Sequence, residues 1–185
     1  MRVIETKIKD VKIIEPRVFF DNRGFFFEAL SAKKLEEIGV NFSVKQENCA
    51  FSLKKGTIRG LHFQNNPMAQ TKLVRCVKGR VMDYAVDLRK GSPTYMKYVQ
   101  VELSDENKLQ LYIPKGFAHG VISLVDNSII EYYTDNEYSP IHDRAVRYND
   151  PLINIDWPID NLILSEKDKN AKLLSESDCN FIYEE

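Results

Sequence analysis

Histidine is scarce in this chain. Among 185 residues only His62, His119 and His142 carry an imidazole. Cysteine is equally sparse: Cys49, Cys76 and Cys179 are odd in number, widely spaced and form no CxxC pair. That excludes a disulfide framework and a zinc knuckle, and points to a reducing compartment. No apolar run approaches the length of a membrane span. Met1 to Asp10 mixes charged and apolar residues singly, without the apolar core of a signal peptide. A cytoplasmic protein with no membrane partner is expected. The formal net charge is −1, so no basic field draws in nucleic acid and there is no acidic tail. Neither an internal repeat nor a low-complexity linker divides the chain. One domain over residues 1–185 is expected, long enough to bury a real core.

What is present is a soluble composition, 43% hydrophobic and 29% charged, cut into many short extended stretches. Val11–Glu15, Val44–Phe51, Lys72–Val77, Val81–Leu88, Lys97–Leu103, Leu109–Ile113, Gly120–Val125 and Ile129–Thr134 read as strands. Turn signals such as Lys78-Gly79, Lys90-Gly91-Ser92-Pro93 and Lys115-Gly116 separate them. The one clear helix is Ser31–Ile38, capped by Ser31 and closed by Gly39. Many short strands with almost no helix predict an all-β sandwich or barrel. After Ser139-Pro140 the chain reads as irregular to Trp157-Pro158. The charged tail from Ser165 is expected to pack across the outside.

Three stretches hold residues able to do chemistry. Gly56-Thr57-Ile58-Arg59-Gly60-Leu61-His62-Phe63-Gln64 sets a cation, a titratable base and an amide close together. Histidine titrates near neutrality, so His62 is a candidate proton carrier; alone, it reads equally as a core histidine. Ile113-Pro114-Lys115-Gly116-Phe117-Ala118-His119-Gly120 reads as a tight turn that delivers His119 inward. Asp21-Asn22-Arg23-Gly24 is a turn between aromatic flanks, with five phenylalanines in nine residues. These form either core or a wall for a planar ring, with Arg23 and Glu28 as polar handles. Alternation along strands sorts the rest. Lys72 shares a face with Val74 and Cys76. Asp83 and Asp87 share a face with Val81 and Ala85; if that face is inward, Asp83 needs a cationic or histidine partner, because a lone buried carboxylate is costly. Tyr132 and Tyr133 point to opposite faces, so at most one lines an interior cavity.

Pro114-x-Gly116-x-x-His119 resembles the second motif of the cupin superfamily, a double-sheet jelly roll. Metal-binding cupins carry His-x-His in their first motif. The matching stretch here is His62-Phe63-Gln64, which leaves too few imidazoles for the usual metal site. Within the superfamily the chain resembles the dTDP-4-dehydrorhamnose 3,5-epimerase family over nearly its full length. The matching elements run from Ile14-Glu15-Pro16 through Asp21–Glu28, Arg59–Gln64, Lys72–Arg75, Val86–Lys90, Ile113–Gly120 and Tyr138-Ser139-Pro140 to Ser165-Glu166-Lys167-Asp168.

The resemblance implies a cupin-type jelly roll with a few short helices. It also implies a homodimer without cofactor or metal, acting in dTDP-L-rhamnose biosynthesis. The implied reaction inverts C3 and C5 of dTDP-4-dehydro-6-deoxy-D-glucose by proton removal and return beside the 4-keto group. In that reading His62 is the base and Tyr132 the acid. Asp168 orients His62, with Asp83 as the competing partner, and Lys72, with Arg59, faces the enolate oxygen. Phe19, Arg23, Phe26, Glu28, Gln46, Asn48, Arg59, His119, Tyr138 and Lys167 bind the nucleotide sugar, some of them from the partner subunit. Two departures stand out. Tyr133 stands where many relatives carry Lys, and Arg147-Tyr148-Asn149-Asp150 replaces a more usual tryptophan-containing element. They leave open a mono-epimerase on a related 4-keto sugar. A binding module of a different class would keep Arg23, Arg59 and His119 without an acid–base pair.

Overall fold

The computed structural model describes residues 1–184. The strands are β1 (Arg2–Glu5), β2 (Lys12–Glu15), β3 (Val18–Asp21), β4 (Gly24–Phe27), β5 (Gln46–Ser52), β6 (Ile58–Gln64), β7 (Lys72–Lys78), β8 (Arg80–Asp87), β9 (Tyr98–Ser104), β10 (Gln110–Ile113), β11 (Phe117–Ser123), β12 (Ser128–Thr134) and β13 (Asp143–Ala145), with helices α1 (Ala32–Glu37) and α2 (Glu166–Lys169). Two antiparallel sheets face each other. The six-stranded sheet runs β1-β2-β10-β7-β12-β5 and the five-stranded sheet β13-β6-β11-β8-β9, while β3-β4 stands apart as a hairpin. This is the expected jelly roll.

The core fills three layers. Val74, Cys76 and Ile130 of the six-stranded sheet meet Val81, Ala85, Val101 and Val121 of the five-stranded sheet between the two. On the far face of the five-stranded sheet, Leu61, Phe63, Tyr84, Val86 and Ile122 pack against Val146, Ile153, Leu174, Cys179 and Phe181. The five-stranded sheet is thus covered on both faces, and every residue of β11 is buried. Burial on both faces replaces alternation with a continuous buried run. The tail therefore does not simply cross the outside: Leu174, Cys179 and Phe181 belong to the core. On the outer face of the six-stranded sheet, Leu35 of α1 packs with Val40 against Ile14 and Leu73. Ser31 caps α1, accepting from Lys34 N at 3.4 Å.

Two local readings shift. The strand expected over Gly120–Val125 begins at Phe117, so His119 lies inside β11 and not at the end of the turn. The stretch read as irregular after Ser139-Pro140 contains β13, which adds to β6 with Asp143 opposite Gln64 and Ala145 opposite His62.

Candidate active site

A cavity of about 390 Å³ opens between the two sheets, lined by Arg59, His62, Lys72, His119, Tyr132 and Asp168 with Ile58, Val121, Ile130 and Leu164. Its size lies within the usual range for small-molecule sites. His62 comes from the five-stranded sheet and Tyr132 from the six-stranded sheet. A base and a phenol therefore stand on facing walls, and Lys72 lies beside Tyr132 with its Nζ 5.8 Å from the ring centroid.

Strict alternation would put Arg59 and His62, three residues apart, on opposite faces. A β-bulge brings them together. His119 pairs with His62 and Val121 with Arg59, so two steps on β11 match three on β6. The extra residue re-aims the bulged strand. Gly60 permits it: its φ is +133°, and a Cβ there would sit 2.6 Å from Gly120 Cα and 2.7 Å from His119 O.

His62 and Asp168 form a tight pair, with Nε2 2.5 Å from Oδ1. The His62 side chain is 30% exposed and Asp168 only 4%. Ser165 Oγ donates to the other carboxylate oxygen at 2.9 Å, and the Ser165 hydroxyl accepts from Asp168 N at 3.1 Å. Burial pushes the Asp168 carboxyl up, but hydrogen bonds from His62 and Ser165, the His62 charge and the Gly60 N–H outweigh it and hold the carboxyl below its ordinary value. Asp168 thus stays an anion.

Asp83 does face inward, but it is not the partner of His62. It is fully buried and its carboxylate lies 3.0 Å from His119 Nε2. Burial pushes the His119 pKa down, with Asp83 acting against it. Neutral His119 therefore donates its Nε2–H to Asp83. Lys72 is drawn down to about 8 by burial, partly offset by the Asp83 and Asp143 carboxylates. Burial also raises the Tyr132 hydroxyl above its ordinary value, with Arg59 opposing, so the phenol keeps its proton at neutral pH. Tyr133 packs on the outer cluster instead.

Among the residues expected to hold a nucleotide, several lie on, or are bonded to, the elements that line the cavity. Gln46 and Asn48 lie on the β5 face that also carries Ala50, and Gln46 Nε2 donates to Asn48 Oδ1 at 2.6 Å. Gln46 Oε1 accepts from Tyr138 N at 2.9 Å. Lys167 Nζ lies 2.5 Å from Asp143 Oδ2, and Tyr138 Oη donates to the same oxygen at 3.2 Å. Phe19, Arg23, Phe26 and Glu28 are not at the cavity. They belong to the β3–β4 hairpin and its exit, where Phe19 is 47% and Phe26 67% exposed. Arg23 pairs with Asp21 at 2.6 Å, and Glu28 pairs with Lys34.

The sequence assigns no role to Asp143, Ser165 or Gly60. Asp143 sits in a stretch without periodicity, and only its pairing opposite Gln64 reveals it as a shared anchor for Tyr138 and Lys167. Gln64, where metal cupins carry their second histidine, is fully engaged. It donates to Met68 O at 2.6 Å and Glu137 O at 3.1 Å, and accepts from Ser139 N at 2.7 Å. Its amide clamps the loop carrying Tyr138. Among the described residues no three His, Cys, Asp or Glu side chains come close enough to hold a metal ion, and no helix is long and apolar enough to cross a membrane.

Comparison with known proteins identifies one family. The family model for dTDP-4-dehydrorhamnose 3,5-epimerase matches residues 5–176. The enzyme of that name from Shigella flexneri is 50% identical over 179 residues, covering 96% of this chain and 98% of the relative. The crystal structure of the Bacillus anthracis enzyme with TDP and PPi bound superposes with a TM-score of 0.90 at 49% identity, covering 92% of this chain and 98% of that one. The Legionella pneumophila dTDP-6-deoxy-D-glucose-3,5-epimerase, in complex with dTDP-4-keto-L-rhamnose, gives a TM-score of 0.91 at 45% identity, covering 95% of this chain and 94% of that one. A bulged strand carrying an imidazole, a phenol on the facing sheet and a full-length match thus meet in one conclusion: the chain belongs to the dTDP-4-dehydrorhamnose 3,5-epimerase family.

Proposed function

We propose that this chain inverts C3 and C5 of dTDP-4-dehydro-6-deoxy-D-glucose to give dTDP-4-dehydro-L-rhamnose. The 4-keto group acidifies the proton on each neighbouring carbon. His62, held by anionic Asp168, removes that proton. The resulting enolate oxygen lies toward Lys72, with Arg59 nearby. Tyr132 returns a proton from the facing wall, so the centre inverts. One proton leaves and one enters at each carbon, and no electrons are gained or lost. General acid–base transfer of this kind needs a base and an acid within reach of opposite faces of one carbon, and positive charge where the oxyanion develops. The observation that carries the reading is the His62–Asp168 pair, 2.5 Å apart, with His62 on the sheet facing Tyr132 and Lys72.

The nucleotide extends from the cavity past Tyr138, Lys167, Gln46 and Asn48. We propose that a second copy of the chain supplies Phe19, Arg23, Phe26 and Glu28 from its hairpin, which explains why these residues stand exposed and apart from their own cavity. The enzyme works as a homodimer in the cytoplasm. In D2O, each turnover of dTDP-4-keto-6-deoxyglucose should place deuterium at C3 and C5, read by NMR. No exchange at either carbon overturns the reading. Exchange at one carbon only makes this a mono-epimerase.

A further inference from the structure

The element Arg147-Tyr148-Asn149-Asp150, which departs from the family pattern, takes no part in the chemistry above. Its contacts give it a different task. Asp168 and Lys167 sit on α2, a helix of only four residues, far too short to hold itself in place. The segment is tied at both ends. Upstream, Ile163 N donates to Gly56 O at 2.9 Å and Ile58 N to Ile163 O at 2.8 Å. Downstream, Arg147 N donates to Lys172 O at 2.9 Å and Arg147 Nε to Ala171 O at 3.0 Å. The Asp150 carboxylate, 1% exposed, accepts from Leu174 N at 2.6 Å. Its other oxygen accepts from Leu152 N at 2.9 Å and Ile153 N at 3.4 Å.

The same element is tied to the strand bearing the base. Val146 N donates to Leu61 O at 2.9 Å, and Leu61 N to Val146 O at 3.2 Å. Leu61 precedes His62. Residues 146–150 therefore form a splint, with the strand of His62 bonded to one end and the segment of Asp168 bonded to the other. The 2.5 Å hydrogen bond between His62 and Asp168 spans the two parts that this splint ties together.

We propose that Asp150 is a positioning residue for the His62–Asp168 pair, acting through the 171–174 segment and never touching substrate. The inference rests on the acid–base reading above. Asp150→Asn replaces the oxygen facing Leu174 N or weakens its hold. Exchange turnover should fall by between about tenfold and a hundredfold, the scale of a misplacement remote from the chemistry. The effect should vanish in an Asp168→Asn background, because Asp150 then has nothing left to position. Equal losses in both backgrounds, or an unchanged rate in the single variant, overturn the proposal. Arg147→Ala removes one side-chain bond and leaves the buried carboxylate. It should show a smaller loss with the same background dependence, and serves if Asp150→Asn does not fold. A readout without substrate separates this inference from the function: the imidazole N–H···carboxylate proton of His62, assigned by its loss in His62→Asn. Asp150→Asn should shift or abolish that signal, and an unchanged signal overturns the proposal even in an active enzyme. Response of the signal in a protein that does not turn over substrate leaves the splint standing and removes the epimerase reading.

Discussion

Two histidine–aspartate pairs border one cavity, and they are built in opposite ways. His62–Asp168 joins residues 106 apart in sequence, a strand and a tail segment, and leaves the imidazole 30% exposed. His119–Asp83 joins neighbouring strands, since β8 pairs with β11 with Ala85 opposite His119, and is buried at 8% and 0%. The first has a partly open ring on an anion that stays charged, as a group exchanging protons with a ligand requires. In the second, burial favours the neutral ring, and the carboxylate serves as counter-charge for Lys72. The same two residue types thus suit a proton carrier, as proposed for His62, where the ring is partly open, and a fixed electrostatic element where the ring on the cavity wall is buried. Burial and the partner's place in the fold decide which, not residue identity.

The largest effect should separate the two imidazoles. His62→Asn should cut exchange at both carbons by about a thousandfold, within the roughly 10²–10⁴ attributed to a positioned acid–base group. Thermal stability should barely change, because a partly exposed ring rehydrates. A His62→Asn enzyme with more than a tenth of wild-type turnover would break the contrast. Truncating the carboxylates should invert the ranking. Asp168→Ala should cost activity more than stability. Asp83→Ala strips the partner of a buried neutral ring, and a buried donor left unsatisfied costs about 1–3 kcal/mol, or roughly 5 °C in a chain of this length. Differential scanning calorimetry of the two variants, beside their exchange rates, measures both axes. Equal melting temperatures would show that the buried pair is not structurally distinct.

Much of this contrast could be read in the sequence, and the part that could not has a physical cause. Alternation placed Lys72 with Val74 and Cys76, and placed Tyr132 opposite Tyr133, because β7 and β12 are regular where it mattered. It failed on β6, where the bulge at Gly60 breaks the period of two and brings Arg59 and His62 to one face. An inward-facing Asp83 needs a partner, but alternation alone does not say which histidine stands on the neighbouring strand. Asp168 was reached only through resemblance. Its segment is irregular, and its place depends on the tail crossing the sheet. The contacts of Asp143 and Asp150 are not legible in the sequence for the same reason: their neighbours are set by pairing at long range, which leaves no local period.

The finest test of the comparison is the charge on Lys72. Its ammonium is drawn from its ordinary value of 10.5 to about 8 by burial, with Asp83 the largest influence holding it up. If the enolate needs that cation, kcat/KM should fall as pH rises through about 8, giving the basic limb of the profile. Stability should move the other way. Between the folded value of about 8 and the ordinary 10.5, the unfolded chain binds more protons than the folded one, so this contribution to stability rises with pH. Subtracting the denaturation curves of Lys72→Met from those of the wild type isolates it from the tyrosines that titrate nearby. Asp83→Asn removes the counter-charge and keeps the shape. It should move the basic limb of activity to lower pH and widen the stability window downward. Asp168→Asn, in the other pair, should lower the rate and leave the position of that limb unchanged. A limb that follows Asp168, or that stays fixed when Asp83 is neutralised, would mean that the buried pair does not set the charge on Lys72.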